Sequence, residues 1–299
     1  MSISSLVSII LGVRGENLKI IRNQTFDQER EFYGSNGIRL ENCRFEGKAD
    51  GESAFKESKN ISVTHTQFYL RYPFWHDDRV SIESCHLYEP CRAALWYSKD
   101  IHISNSQLHG IKALRECKDI VIENSSIQST EFGWFNENIK MKDCQAQSEY
   151  FMMHSHNLQF DNVSLEGKYS FQYITDSIFT HCHFDTKDAF WHAKNVVIKD
   201  SIIKGEYLGW YCENVTFENC TIIGTQPLCY CKNLKCINCT MIDCDLSFEK
   251  SDVHATILSS IDSIKNPSSG LIQCTSVGQI IKDDRSIGAF IQEGFTHGS

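Results

Sequence analysis

Proline, long apolar runs and basic runs are scarce in this 299-residue chain, and each absence limits what the protein can be. No stretch of about 18 apolar residues occurs, so no membrane-spanning helix or membrane partner is expected. The net charge is −9 and no dense Lys/Arg run offsets it, so no nucleic-acid partner is expected. Only 4 residues are proline, which suits a chain made of hydrogen-bonded strands because proline lacks the amide hydrogen.

Common active-site fingerprints and targeting signals are also missing. The sequence has no Gly-x-Ser-x-Gly elbow, no P-loop and no dinucleotide fingerprint. No cofactor is therefore expected. Residues 1–15 contain a short apolar stretch but lack the basic region and small-residue cleavage site of a signal peptide, so the sequence predicts a cytoplasmic protein.

A repeat of 19 residues organises the chain. One aliphatic position recurs in steps of 19 between residues 101 and 253, and it continues upstream with insertions of four and two residues. A typical unit is NVTFENCTIIG, residues 214–224, in which apolar residues alternate with polar ones as in a strand. The chain turns at the second Asn, and the aromatic-rich remainder of each unit is interpreted as a third strand.

Three short strands and three turns fit into 19 residues, whereas a strand plus a helix hardly fits. The sequence therefore predicts an all-β protein, a single-stranded right-handed parallel β-helix of about eleven to twelve coils with three short strands per coil and capped ends. We expect one domain over residues 1–299. Its parts are an N-terminal cap at 1–17, coils at 18–253, a C-terminal cap at 254–291 and a disordered tail at 292–299.

Fourteen cysteines are too sparse for a disulfide miniprotein of this length, so they are thiols, metal ligands or a few disulfides. Cys236-x-x-Cys239, in a cluster spanning residues 229–244, resembles half of a zinc knuckle. The repeat favours another interpretation, because six cysteines fall on one inward corner position that also holds serine. Core packing is thus favoured over a metal site, and no metal site is predicted.

Two neighbouring columns of the third strand are rich in aromatic residues. All five tryptophans share the first column, and His, Tyr and Phe dominate the second. Since adjacent residues of a strand face opposite sides, one column should lie in the core and the other should form an exposed stripe. Which of the two faces outward stays open.

Charged columns precede these aromatic columns, and together they suggest a groove for an elongated polar ligand such as a sugar chain. The simpler alternative is a ladder of salt bridges that shields the sheet. Candidate ligand-binding residues are Arg92, Tyr97, His154, Lys168, Tyr173, Lys187, His192 and Tyr211.

Candidate catalytic residues lie in the same columns. Glu131 with Glu149, and Asp188 with Glu206, fall on neighbouring coils, a spacing that suits the two carboxylates of a glycosidase. A lyase would instead use a basic residue to abstract a proton, for which Lys112 and Arg115 are the candidates.

Several long segments of the third strand resemble a bacterial family called domain of unknown function 3737. They include GESAFKESKNISV (51–63), LRYPFWH (70–76), CRAALWYS (91–98), KDAFWH (187–192) and GEYLGWY (205–211), and the resemblance extends from about residue 21 to 284. It implies a pectin-lyase-like right-handed parallel β-helix in an intracellular protein. It supplies no activity and no catalytic residues.

Two functions therefore stay open. The protein is either carbohydrate-binding or carbohydrate-active, lyase-like or hydrolase-like, with an oligosaccharide as its partner, or it is a non-catalytic scaffold that self-associates through the aromatic stripe. Whether it is an enzyme is undecided. A concave, open stripe favours the first function, and a flat stripe buried against a second copy favours the second.

Overall fold

The computed structural model describes residues 18–49, 51–283 and 288–295. Within them the chain is all-β and forms a parallel β-helix with a spacing of about 19 residues, as predicted, and its turns number about 14 rather than the expected eleven to twelve. It divides into two compact units, residues 1–129 and 130–299. The predicted N-terminal cap, residues 1–17, lies outside the described residues. The described part contains no α-helix with the length and hydrophobicity of a membrane span.

The first unit has strands on three sides of each coil. The first side contains β1 (Lys19–Arg22), β3 (Asn36–Glu41), β5 (Lys59–Thr64), β8 (Asp78–Glu83), β11 (Lys99–Ser104) and β14 (Lys118–Glu123). The second side contains β2 (Thr25–Phe26), β4 (Arg44–Phe45), β6 (Gln67–Phe68), β9 (His86–Leu87), β12 (Gln107–His109) and β15 (Ser126–Gln128). The third side has only two-residue strands, β7 (Phe74–Trp75), β10 (Leu95–Trp96) and β13 (Leu114–Arg115).

The second unit repeats the first two sides with longer strands. Its main ladder contains β16 (Glu137–Glu149), β17 (His156–Lys168), β18 (Thr175–Thr180), β20 (Lys194–Lys199), β22 (Glu213–Glu218), β24 (Leu234–Ile242), β25 (Asp252–Ile257), β27 (Ser269–Gln273) and β29 (Phe290–Gln292). The other strands are β19 (His183–Lys187), β21 (Ile202–Lys204), β23 (Thr221–Ile223) and a separate pair, β26 (Ile261–Lys265) with β28 (Val277–Ile281).

The observed register confirms the 19-residue repeat. In the first unit Ile101 pairs with Ile120, and in the second Val196 pairs with Val215. The Asn/Asp positions at the turns adopt the left-handed conformation that these residues tolerate, and their amides bond along the coils. Asn219 Nδ2, for example, donates to Asp200 Oδ1 at 3.0 Å.

Six cysteines lie at the inward corner, as the repeat predicts, and all fourteen are buried and free. The Cys182 thiol donates to the carbonyl of Thr180 at 3.2 Å, and Ser201 Oγ, one coil later, accepts the Cys182 amide at 2.9 Å. Ser201 Oγ also donates to the carbonyl two residues before it. Cysteine and serine interchange because both can donate to that carbonyl and accept an amide from the preceding coil.

This corner predicts how Cys182 responds to substitution. Cys182→Ser should keep the side-chain bonds to the Thr180 carbonyl and the Val163 amide and change the free energy of unfolding by less than about 1 kcal/mol, whereas Cys182→Val should lose them and cost about 1 kcal/mol more. Valine fits the space, since Val163 holds the same position one coil earlier and is buried. Urea unfolding of both variants measures the difference. Equal stabilities would show that the bonds contribute nothing.

The predicted C-terminal cap, residues 254–291, instead continues the main ladder. Val253 pairs with Gly270, and Leu271 pairs with Phe290. The step from Val253 to Gly270 is 17 residues instead of 19, so the 19-residue repeat did not reveal this strand. Gly270 is required there, since its φ is +104° and a Cβ would meet the Val253 carbonyl. Of the predicted disordered tail, Gln292 ends β29, and residues 296–299 lie outside the described residues.

The expectation for the third side is wrong in one respect. Both aromatic columns face outward, since the tryptophans are half-buried and the His/Tyr column is mostly exposed. The residue that precedes each member of the tryptophan column fills the core. Phe74 and Phe190, for example, are fully buried. Strand alternation fails here because the backbone is not extended. In the second unit Tyr150, Met152 and His154 all have φ near +57°, and the segment is a series of turns.

Candidate functional site on the third side of the second unit

The outermost feature of this side is a continuous stack of rings, here called the ring ladder. Its members are Phe135, His154, Tyr173, His192, Tyr211 and Tyr230. Successive ring centroids lie 4.6–5.0 Å apart, and the interplanar angles are 7–14°. Each ring belongs to one coil, so the stack repeats at the spacing of the coils.

The stacking decides which part of each ring meets solvent. Because the rings lie face to face, their faces are covered by their neighbours and their polar edges point outward. Tyr173 is 43% exposed and Tyr211 is 45% exposed. Burial lowers the pKa of His154, which favours the neutral imidazole. The ring ladder therefore offers a row of hydroxyl and imidazole hydrogen-bonding groups rather than open aromatic faces.

The tryptophan column, next to the ring ladder, bonds successive coils to each other. Trp191 Nε1 donates to the carbonyl of Tyr207 at 2.7 Å, and Trp210 Nε1 donates to the carbonyl of Gln226 at 2.8 Å. Each acceptor lies 16 residues further on, on the next coil. Gln172 replaces tryptophan in this column and donates to the carbonyl of Asp188 at 2.9 Å. These side chains satisfy carbonyls that the left-handed backbone turns outward.

A third column contains tyrosines and is interrupted at Asp188. Tyr150 and Tyr169 stack at 5.0 Å, and Tyr207 holds the same position two coils after Tyr169. All of these residues have φ between 54° and 59°, so their side chains leave the backbone in the same direction. Asp188 therefore stands between two tyrosines of the neighbouring coils.

Asp188 is largely buried on this side. The residue is only 6% exposed, and none of the described residues donates a hydrogen bond to its carboxyl or forms an ion pair with it. Burial raises its pKa, Lys187 acts in the opposite direction, and Glu206 adds to the rise. A carboxyl whose pKa is raised by burial is a candidate for proton transfer or ligand binding.

Ion pairs border this carboxyl. Lys187 Nζ lies 3.4 Å from Glu206 Oε2, and Lys168 Nζ lies 3.1 Å from Glu149 Oε1. These pairs raise the pKa of both lysines, which stay charged. Lys168 Nζ also lies 5.8 Å from the ring centroid of Tyr169, and Lys187 Nζ lies 5.8 Å from that of Tyr207. The salt-bridge ladder considered from the sequence is thus present, and it borders Asp188.

The two proposed carboxylate pairs are brought onto adjacent coils. The amide of Asp188 donates to the carbonyl of Glu206 at 2.9 Å, and the amide of Glu131 donates to the carbonyl of Glu149 at 2.8 Å. The pairs differ in burial, since only Asp188 is withdrawn from solvent. Sequence reasoning did not include Tyr169 and Tyr207 among the candidates, although their column position was readable from the repeat.

Four of the predicted residues belong to the first unit. Tyr97 is 43% exposed and stacks on His76 at 4.9 Å. Arg115 lies over the Trp96 ring at 5.3 Å, and its Nε lies 3.3 Å from Glu116. Arg92 is exposed, and Lys112 is half-buried with a φ of +57°. Arg115 is thus engaged in a cation–π and ion-pair cluster of its own.

The cysteine cluster at residues 229–244 packs into the coils. The thiol of Cys231 donates to the carbonyl of Gly209 at 3.0 Å, and the thiol of Cys244 donates to that of Ile242 at 3.3 Å. Burial raises the pKa of Cys244 to about 12, which opposes the thiolate that a metal needs. Across the described ranges, no group of three or more His, Cys, Asp and Glu residues is arranged to hold a metal ion.

Comparison with known proteins identifies a family and distant structures. The family described as protein of unknown function (DUF3737) matches residues 19–291, and a search of curated proteins gives no match. The chain is similar to PfbA, a surface adhesin of Streptococcus pneumoniae, with 8% identity, a TM-score of 0.34 and coverage of 88% of this chain and 85% of that one. It is similar to QnrB1, a plasmid-mediated fluoroquinolone resistance protein, with 15% identity, a TM-score of 0.21 and coverage of 73% and 89%. The Agl-KA catalytic domain shares 10% identity, with a TM-score of 0.28 and coverage of 97% and 63%.

Proposed function

Since the chain belongs to the DUF3737 family of proteins of unknown function, we propose from its own residues that it binds carbohydrate on the third side of the second unit and cleaves a glycosidic bond at Asp188. The observation that carries this proposal is the largely buried position of Asp188, whose carboxyl accepts no hydrogen bond from the described residues. A carboxylic acid with a raised pKa is what a glycosidase uses to protonate a leaving group. A carboxylate on the adjacent coil, Glu206, supplies the second group.

In the proposed reaction Asp188 is the general acid. It gives its proton to the glycosidic oxygen as the bond between that oxygen and the anomeric carbon breaks. Glu206 accepts a proton from a water molecule whose oxygen bonds to the anomeric carbon. The proton returns from Glu206 to Asp188 through solvent. Burial favours the neutral form of Asp188, which supports the assignment, and Glu206 Oε2 lies 3.4 Å from the Lys187 ammonium.

The surrounding groups suit a sugar. A sugar presents many hydroxyl groups, and the ring ladder presents hydroxyls and imidazole nitrogens that donate and accept hydrogen bonds. Tyr169, Tyr207 and the ammonium groups of Lys168 and Lys187 border the reacting position. Glu149 and Glu131 extend the polar surface along the coils. His154, Tyr173, His192 and Tyr211 are proposed to contact sugar units further along the chain.

A glycan array followed by calorimetry tests the binding. We expect the chain to bind an oligosaccharide, and Asp188→Ala to weaken binding at least about tenfold, since it removes a buried hydrogen-bonding group from the site. Asp185→Ala is the matched control, because Asp185 lies three residues earlier, in β19, and pairs with Lys204 away from this side. Absence of binding to any saccharide would overturn the proposal.

The ring ladder favours a second candidate function, self-association as a scaffold. Its covered ring faces and exposed edges suit contact with another protein surface as well as with a sugar. Sedimentation of the same samples separates the two functions. A dimer that dissociates in Tyr173→Glu, with no saccharide bound by the parent chain, would support the scaffold.

We also propose a cytoplasmic location. Fourteen buried cysteines without a disulfide among them support a reducing compartment.

A further inference from the structure

Two histidines of the first unit meet on its second side, away from the residues considered so far. His86 begins β9, and His109 ends β12 on the next coil. Gln107 is the register partner of His86, so His109 lies two residues further along the neighbouring strand. His86 Nε2 and His109 Nδ1 are 3.3 Å apart, and both side chains are half-buried.

We propose that His86 and His109 together bind one divalent transition-metal ion, such as Zn²⁺, Cu²⁺ or Ni²⁺. Two imidazole nitrogens held at about 2.0–2.1 Å by one tetrahedral ion lie about 3.3 Å from each other. The observed separation has that value before any metal binds. The rings are nearly perpendicular, at 84°, with centroids 4.8 Å apart, and the two nitrogens now share a hydrogen bond, which the metal ion would replace.

The protonation state suits a metal ligand. Burial lowers the pKa of both histidines. The positive charge of protonated His109 lowers the pKa of His86 further. Glu89 has the opposite, smaller effect on His109. Neutral imidazole is the form that binds metal. The ring that now donates its proton to the other must move it to its second nitrogen, so binding needs a change of tautomer and no net loss of a proton.

Aromatic packing holds one ligand in place. The ring of Tyr88 stacks on His86 with centroids 3.5 Å apart, and Tyr69 stacks on Tyr88 at 4.1 Å. Fixed ligands lower the entropy lost on binding. The part of the chain that the structure describes has no group of three or more His, Cys, Asp and Glu ligands, so water fills the remaining positions. The site is therefore open and accessible to a further exogenous ligand.

Calorimetric titration of the full, tag-free chain with CuCl₂, NiCl₂ and ZnCl₂ tests the site. We expect one equivalent of metal to bind, and His86→Ala or His109→Ala each to weaken it at least tenfold. The double variant should be no weaker than either single variant, because both remove the same chelate. His102→Ala is the control, since His102 is a half-buried histidine of the same unit whose Nε2 lies 3.4 Å from Glu123.

A second measurement distinguishes the loss of a metal ligand from a failure to fold. Far-ultraviolet circular dichroism reports folding, and His86→Gln, which keeps a polar side chain of similar size, replaces any alanine variant that is unfolded. Cu²⁺ bound to the parent chain should show the electron paramagnetic resonance signature of two nitrogen ligands. Equal affinity in the parent chain and the folded histidine variants, or no binding by the parent chain, would overturn the proposal.

Discussion

Asp188→Asn is expected to lower the turnover of the bound saccharide by about 10² to 10⁴-fold, the usual contribution of a general acid, and to leave saccharide binding nearly unchanged. Asparagine has the size of aspartic acid and keeps a hydrogen-bonding group, but it has no proton to give to the leaving oxygen. Turnover is measured as release of reducing sugar from the saccharide that the array identifies.

The control and the partner variant sharpen this test. Asp185→Asn, in the preceding strand β19, should retain full turnover. Glu206→Gln should lose about 10²-fold or more, since it removes the base that activates water. Saccharide binding without hydrolysis by the parent chain would leave the binding proposal standing and remove the catalytic one. Full turnover in Asp188→Asn would also remove the catalytic proposal and leave the binding proposal standing.

Asp77→Asn is expected to stabilise the protein at pH 8 by roughly 2–5 kcal/mol, with little effect near pH 4. Asp77 is 1% exposed and belongs to the first unit, at an inward position held by serine on the neighbouring coils. Its Oδ1 accepts the Ser58 amide at 2.8 Å, while Oδ2 has no partner among the described residues. Burial is the main cause that raises its pKa to about 8.

The sign follows from proton uptake. The pKa is about 8 in the folded chain and 3.8 for an unperturbed aspartate, so between these values the folded state binds one more proton than the unfolded state. The free energy of unfolding therefore falls as the pH rises from about 4 to about 8, by up to about 1.4 kcal/mol per pH unit, and is level above that range. Asparagine stays neutral and avoids this loss.

Urea unfolding at several pH values measures the effect. The control is Asp100→Asn, at an exposed turn position of the next coil where asparagine is the usual residue. It should follow the pH dependence of the parent chain. A constant difference between Asp77→Asn and the parent chain from pH 4 to pH 8 would contradict the buried-acid explanation.

The repeat allowed the first two sides of each coil to be predicted in detail. Their backbone is extended, so period-two alternation correctly placed Ile101 and Ile120 in the core, in register. The same reasoning explained the cysteines, because a corner that also takes Ser106 and Ser201 needs a small residue.

The third side was less predictable because its backbone alternates between left-handed and ordinary conformations. Nothing in the residue types of Tyr150 or Met152 signals a positive φ, which such residues seldom adopt. The burial of Asp188 was not predicted either, although Tyr169 and Tyr207 hold the same position on the neighbouring coils. A column of residues shows which positions are equivalent, but it does not show how far each of them is buried.

The left-handed backbone of the third side has a consequence for how such a protein can change over time. Two adjacent positions per coil, those of the tryptophan column and the ring ladder, face outward, whereas an extended strand would expose one of the two. Their side chains can be exchanged without disturbing the phenylalanines inside. A surface with this many replaceable positions over a separately packed interior can acquire new ligands by substitution, one coil at a time, while the rest of the coil keeps its register.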